Sequence, residues 1–229
     1  MPPERVVISL GGSILVPGEG DAAYLQTLAS LLNRLAGERQ LFLVTGGGRP
    51  ARAYIETGRS LGLDERSLDE MGIVVTRLNA RLLIQALGPQ ASPAVARSYE
   101  EAEEAAETHA LVVMGGVRVS LTTDGVAAEL AEKVEADRIV NATSVDGVYT
   151  ADPAKDADAS RIDRMSYEEL AAIAGEPTGL AGPSMVFDPY ATRVVTRAGI
   201  PLFVVYGRDF EALEGAIVGG EFVGTTIGA

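Results

Sequence analysis

Three consecutive glycines, Gly46, Gly47 and Gly48, are followed within one helical turn by two arginines, Arg49 and Arg52. An apolar run, Leu41 to Val44, precedes them and reads as a buried strand, and the residues after them read as an amphipathic helix with Pro50 in its first turn. Strand, glycine turn and helix start together suit a phosphate. Glycine leaves no Cβ in the way of a ligand and tolerates positive φ. The free N–H groups and the dipole at a helix start favour an anion, and arginine adds charge-assisted bonds. A tight turn into a packed helix would need only one glycine, so three with Arg52 beside them favour the functional reading.

Other strand ends carry similar chemistry. Gly11-Gly12-Ser13 follows a β-branched run, and Gly115-Gly116 follows another. In Thr122-Thr123-Asp124, either threonine can cap the next helix, turning hydroxyls and N–H groups toward one point. Thr143 and the loop Val145 to Pro153, with Asp146, Tyr149 and Asp152, could clamp a base and ribose, and equally read as an Asp-rich turn. Asp69, Thr76 and Asn79 interrupt an apolar helix. Capping and solvated faces account for Thr76 and Asn79, and only Asp69 is carried forward as functional. His109, the sole histidine, reads as structural, with no metal-ligand spacing around it.

These residues need a frame. The pattern predicts strands at Arg5–Leu10, Leu41–Val44, Pro93–Arg97, Ala110–Met114, Asp137–Ala142 and Pro201–Val205, with an edge strand within Phe222–Ile227. Helices fall between them: about 22–35, 49–61, 64–87, 99–108, 125–134, 188–198 and 210–218, plus one capped by Ser166 with Glu169. Alternation of this kind gives an α/β fold with a mainly parallel, doubly wound sheet and helices on both faces. Ligands then sit at the carboxyl ends of the strands, where the glycine turns fall.

Composition narrows the function classes. The chain has 229 residues, 47% hydrophobic, with a net charge of −13. That excludes nucleic-acid binding as a main role, since there is no basic footprint. Anionic substrates must be drawn in by local positive groups. The lysines are Lys133 and Lys155, so the cationic side chains are almost all arginine. With no cysteine, disulfide and thiolate chemistry are excluded. No apolar run approaches the roughly 18 to 20 residues of a membrane span. No signal-peptide core precedes the first strand, so the chain reads as cytoplasmic.

In this order the motifs resemble the amino-acid kinase superfamily, and within it the archaeal-type UMP kinases. The resembling stretches are Gly11-Gly12-Ser13, TGGGRPAR at 45–52, LDEMGIVVTRLNA at 68–80, MGG at 114–116 with TTD at 122–124, NATSVDGVYTADP at 141–153, Asp188-Pro189 and GTTI at 224–227. The resemblance covers nearly the whole chain. It implies a three-layer α/β/α sandwich and a single domain over 1–229, with an acceptor-binding lobe about 1–125 and an ATP-binding lobe about 126–229. It implies γ-phosphoryl transfer from ATP to UMP with Mg²⁺, and a homohexamer. Carried over, Gly12, Ser13, Gly48 and Arg52 would hold the ATP phosphates, and Thr143, Tyr149 and Asp152 the adenosine side. Gly47, Asp69 and the loop Val117, Arg118, Val119, Ser120, Leu121, Thr122, Thr123 would hold UMP, with Asp69 on the ribose. Arg52 and Asp124 would be catalytic, and no protein ligand to a metal is implied.

Two positions depart from the family pattern. Many members carry a lysine in the first strand where this chain has Ser9, and relatives often have a Pro-Gly turn where this chain reads Val117 to Leu121. Two other readings stand beside UMP: a kinase with another acceptor, such as isopentenyl phosphate or an amino-acid carboxylate, and a catalytically silent nucleotide-binding protein. The acceptor loop holds no histidine, which weighs against isopentenyl phosphate. Asp69 and TTD weigh against a carboxylate. Ser9 is the feature that favours the silent protein.

Overall fold

The computed structural model describes residues 2–16, 21–151, 155–156, 158–174 and 187–228. In chain order the elements are β1 (Glu4–Leu10), α1 (Gly12–Leu15), α2 (Asp21–Leu35), β2 (Arg39–Thr45), α3 (Gly48–Ser60), α4 (Glu65–Leu87), α5 (Tyr99–Ala106), β3 (Leu111–Met114) and α6 (Thr123–Lys133). There follow β4 (Arg138–Thr143), β5 (Val148–Tyr149), β6 (Arg161–Ile162), β7 (Arg164–Met165), α7 (Tyr167–Ala174), α8 (Pro189–Ala198), β8 (Leu202–Tyr206), α9 (Phe210–Val218) and β9 (Thr225–Ile227).

The apolar runs become one sheet in the order β3-β2-β1-β4-β8-β9-β7. The first five strands are mutually parallel, and β9 runs antiparallel to β8. Such runs have no polar face because helices cover both sides. Alternate residues of each strand go to opposite layers. Ile8, Leu43 and Val113 pack with α2, α4 and α9, whereas Val7, Phe42 and Val112 pack with α5, α6 and α8. The result is the expected three-layer α/β/α sandwich. Register brings the functional strand ends level: Leu10 lies opposite Thr45 and Ala142, and Val44 opposite Met114.

Three expectations need correction. Residues 93–97 do not form a strand; only isolated bridges, Ala91 to Leu111 and Ala96 to Met114, remain. Pro93 has no N–H to give a ladder. The carboxyl-terminal strand is not the sheet edge, because β7 pairs outside β9. Gly12 to Leu15 forms a short helix where a loop was expected.

Candidate active site

The two glycine turns pack backbone against backbone. A Cβ on Gly12 would lie 2.1 Å from Gly48 N and 2.6 Å from Gly47 C. One on Gly46 would lie 2.6 Å from Gly12 N, and one on Gly48, at φ +63°, 2.4 Å from Gly12 O. Close approach therefore explains glycine here without any ligand, which removes the glycine count as an argument for phosphate.

A different observation replaces it. Helices α4, α5, α6, α8 and α9 are each capped by a side chain, from Asp64, Ser98, Thr122, Asp188 and Asp209. The helices that open from the glycine turns, α1 and α3, have no side-chain cap and no acid in the first turn. Their first N–H groups are left for an anion. Arg52 follows directly on the first turn of α3, exposed, and makes no ion pair or hydrogen bond among the described residues. Ser13 lies half-buried in α1.

Thr76 and Asn79 are not solvated. Buried Asn79 donates to Gly46 O at 2.8 Å and to Gly47 O at 3.3 Å. Gly116 N donates to Thr76 Oγ1 at 2.7 Å, and Arg77 Nε to Gly116 O at 3.0 Å. Helix α4 thus fixes both the triple-glycine turn and the turn after β3. The sequence signal is polar residues three apart on an apolar helix, a pattern that solvated positions share.

Two carboxylates meet beside the cradle. Asp124, in the first turn of α6, accepts from the Ser9 hydroxyl at 3.2 Å. Ser9 is buried at the end of β1. Burial, with the neighbouring Asp188 carboxylate, pushes Asp124 up to about 7, although Ser9 and the Asp188 backbone pull the other way. Asp188 caps α8 through bonds from Tyr190 N and Ala191 N, and its other oxygen accepts from Thr122 Oγ1. In sequence Asp188 reads as a helix start and part of a motif and not as a neighbour of Asp124, because 63 residues separate the two. Thr123 Oγ1 would lie 3.3 Å from a Cβ on Gly46, so the TTD turn faces the same point as the glycines.

The 117–121 loop lies next to this point. Asp69, half-exposed on α4, accepts from Ser120 N at 2.8 Å and stands 3.4 Å from Ser120 Oγ. Ser120 adopts φ 60°, a left-handed conformation that a glycine would take without cost. Where relatives place a Pro-Gly turn, this chain forces a serine into the turn and secures it with Asp69. Arg118 is bound to Glu129 rather than free. Val117 and Leu121 pack onto the core below, and Val119 is half-buried.

On the other side, Thr143 ends β4 and accepts from Gly207 N at 2.9 Å. Tyr149 is held by Asp146, its hydroxyl donating at 2.7 Å. Asp152 lies outside the described residues. The Gly207-Arg208 turn was not singled out from sequence, yet Arg208 Nη2 reaches Ile14 O at 3.1 Å and braces α1. A glycine after an apolar strand was the available signal.

Known proteins resemble this chain over most of its length. Residues 4–206 match the model of the amino acid kinase family. A uridylate kinase from Methanocorpusculum labreanum is 50% identical over 224 residues, covering 98% of this chain and 95% of the relative. One from Methanoculleus marisnigri is 49% identical with the same coverage. The crystal structure of uridylate kinase from Archaeoglobus fulgidus superposes with a TM-score of 0.87 at 42% identity, covering 97% of this chain and 99% of that one.

Proposed function

The chain belongs to the amino acid kinase family, and from that membership we propose that it is a UMP kinase. It transfers the γ-phosphoryl group of ATP to the phosphate of UMP, giving UDP and ADP for pyrimidine nucleotide synthesis in the cytoplasm. The observation that carries this reading is the meeting of two uncapped helix starts with the Asp69-held loop at one end of the sheet.

Phosphoryl transfer asks for positioning and charge stabilisation more than covalent chemistry. Gly12, Ser13, Gly48 and Arg52 hold the ATP phosphates. Gly47, Asp69 and residues 117–123 hold UMP, and Thr143, Tyr149 and Asp152 serve the adenosine. The acceptor is held by the lobe of about 1–125, which also turns its glycine turns to the ATP phosphates, and the rest of ATP by the lobe of about 126–229. Asp124 and Asp188 form an oxygen-donor pair short of positive charge, which fits Mg²⁺, an ion commonly held by one or two carboxylates plus phosphate oxygens. That ion, when bound, neutralises charge on the phosphates. Ser9 orients Asp124, at the position where many members of the superfamily carry lysine. A coupled assay of ADP release tests the acceptor. UMP should exceed isopentenyl phosphate or an amino acid by about two orders of magnitude or more, since a site built around polar groups rejects ligands that leave them unpaired. Equal rates would replace UMP as the acceptor, and no release with any acceptor would favour a silent nucleotide-binding protein.

Asp69 gives a separable prediction. Asparagine retains an oxygen for Ser120 N but loses the charge offered to the ribose hydroxyls. A hydrogen bond to a charged group is worth about 1.5–3 kcal/mol, so Asp69→Asn should raise KM for UMP about 10- to 100-fold and leave KM for ATP near wild type. Equal change for both nucleotides would remove Asp69 from the acceptor site.

Helix α4 also bears on assembly. Val74, Leu78 and Leu82 recur every fourth residue and are 64%, 67% and 44% exposed. On α3, Tyr54 is 58% exposed. A stripe of this kind marks an interaction face, and we assign it to a second copy of this chain within a homohexamer. Leu78→Glu should lower the mass measured by light scattering and leave the circular dichroism unchanged. An unchanged mass would place subunit contacts elsewhere.

A further inference from the structure

We propose that Glu129 is a positioning residue for UMP: acting through Arg118, it holds the acceptor loop against the start of α8. The inference rests on the reading of residues 117–123 as part of the UMP site. Glu129 projects from the middle of α6 with its side chain 15% exposed, and four donors converge on it. Arg118 makes a bidentate pair, Nη1 to Oε2 and Nη2 to Oε1, both at 2.7 Å. Tyr99 of α5 donates to Oε2 and Tyr190 of α8 to Oε1. Arg118 Nη2 also reaches Tyr190 Oη at 3.5 Å. A carboxylate has about four lone-pair sites, so this one is saturated. The Arg118 guanidinium, with the tyrosine hydroxyls, holds Glu129 down to about 2, and it is charged at every working pH.

An exposed arginine pairing with a surface acid would fix nothing, because such pairs contribute little. Here the acid is mostly buried and shared by three elements, so Arg118 has one place to go. The loop is then pinned along its length. Arg118 is held by Glu129, Ser120 by Asp69, and Thr122 by Asp188. Leu121 closes the gap, its Cδ1 2.5 Å from a Cβ built on Gly125, with the Tyr190 ring 3.4 Å from the same point. Ser120, itself held by Asp69, is kept in its left-handed conformation between the clasps on Arg118 and Thr122. Without the Glu129 clasp the loop is free to relax that residue and leave the acceptor pocket unformed. Asp188 keeps its own bonds to the start of α8, so the carboxylate pair beside it stays in place.

The effect belongs in acceptor affinity, not in turnover. Glu129→Gln should raise KM for UMP about tenfold, with KM for ATP and kcat within about threefold of wild type. A double-mutant cycle supplies a readout that a merely structural role would not move. If Glu129 acts through Arg118, Glu129→Gln should add less than about twofold in KM for UMP to the Arg118→Met enzyme, because contacting residues are non-additive. Should Glu129→Gln not fold, Tyr190→Phe removes one donor at the rim and should shift KM for UMP in the same direction, by less. The proposal is overturned if KM for UMP stays within about twofold in the folded variants, if both nucleotides and kcat suffer alike, or if the cycle is additive. A wild-type enzyme that makes no UDP from UMP would instead overturn the UMP reading itself.

Discussion

Arg52→Ala should lower kcat about 10²- to 10³-fold, the range seen when one preorganised charge-stabilising donor is removed. Transfer from ATP to UMP brings two anions together and spreads negative charge over the transferring oxygens. Ser9 stands where many members of the superfamily place a lysine, and Ser9 faces Asp124, so the carboxyl end of the first strand supplies no cation. Lys133 is paired with Glu103 at 3.0 Å on an exposed face. Arg52 stands just past the first turn of an uncapped helix with no acid near its start, and among the described residues it has no ion pair to lose. Stability should therefore change little, within about 0.5 kcal/mol as for other surface positions. Arg52→Lys should recover little, because a point charge does not replace a planar fork. Steady-state kinetics with saturating ATP and UMP measures the effect. A kcat within about threefold of wild type would assign the charge stabilisation to backbone N–H groups and Mg²⁺ instead.

Gly12→Ala should damage both fold and activity. Its Cβ would meet the backbone of Gly48 at 2.1 Å, Gly47 at 2.6 Å and Gly46 at 2.7 Å, and no flexible side chain is there to yield. The turns must separate, at a cost of about 1–3 kcal/mol or more for overpacking. For a chain of this size that corresponds to a fall in Tm of roughly 2–4 °C per kcal/mol. Parting the turns also misaligns the helix starts that hold phosphate, so KM for ATP should rise along with the loss of stability. Gly72→Ala is the control. Its Cβ would meet only Ile55 Cδ1, at an ordinary 3.5 Å, and alanine in a helix interior gains about 0.5–1 kcal/mol over glycine. Thermal unfolding of both variants, with and without ATP, checks the pair. A Gly12→Ala protein with wild-type Tm and ATP affinity would mean that the two turns are not packed as described.

Much of this frame could be read from local pattern. Buried parallel strands are continuous apolar runs, and Val6 to Leu10 or Leu41 to Val44 cannot be mistaken for solvated segments. Caps such as Asp188 and Thr122 announce themselves by residue type and position. What could not be read depends on approach between distant parts of the chain. The glycines of 46–48 look like a ligand cradle in sequence, yet their contact with Gly12 is what excludes a side chain. Thr76 and Asn79 look like breaks in an apolar face until α4 is laid against the two turns they bind. Pro93 to Arg97 has strand composition, but Pro93 has no N–H to give, and the contact with β3 stays an isolated bridge at Ala96. Glu129 carried no signal, since its partners Arg118, Tyr99 and Tyr190 come from three separate segments. The site residues that were legible stood at strand ends, where glycine and hydroxyl residues have few other reasons to gather.

The reaction proposed for this crevice is transfer of the γ-phosphoryl group of ATP onto UMP. Phosphorus NMR of the purified protein with ATP, Mg²⁺ and an equimolar mixture of UMP, CMP and dUMP tests it most directly, because donor and products are seen together. UDP and ADP should appear in equal amounts, with CMP and dUMP left largely unphosphorylated. Loss of the ATP γ signal to inorganic phosphate alone, or equal phosphorylation of all three nucleotides, would contradict it.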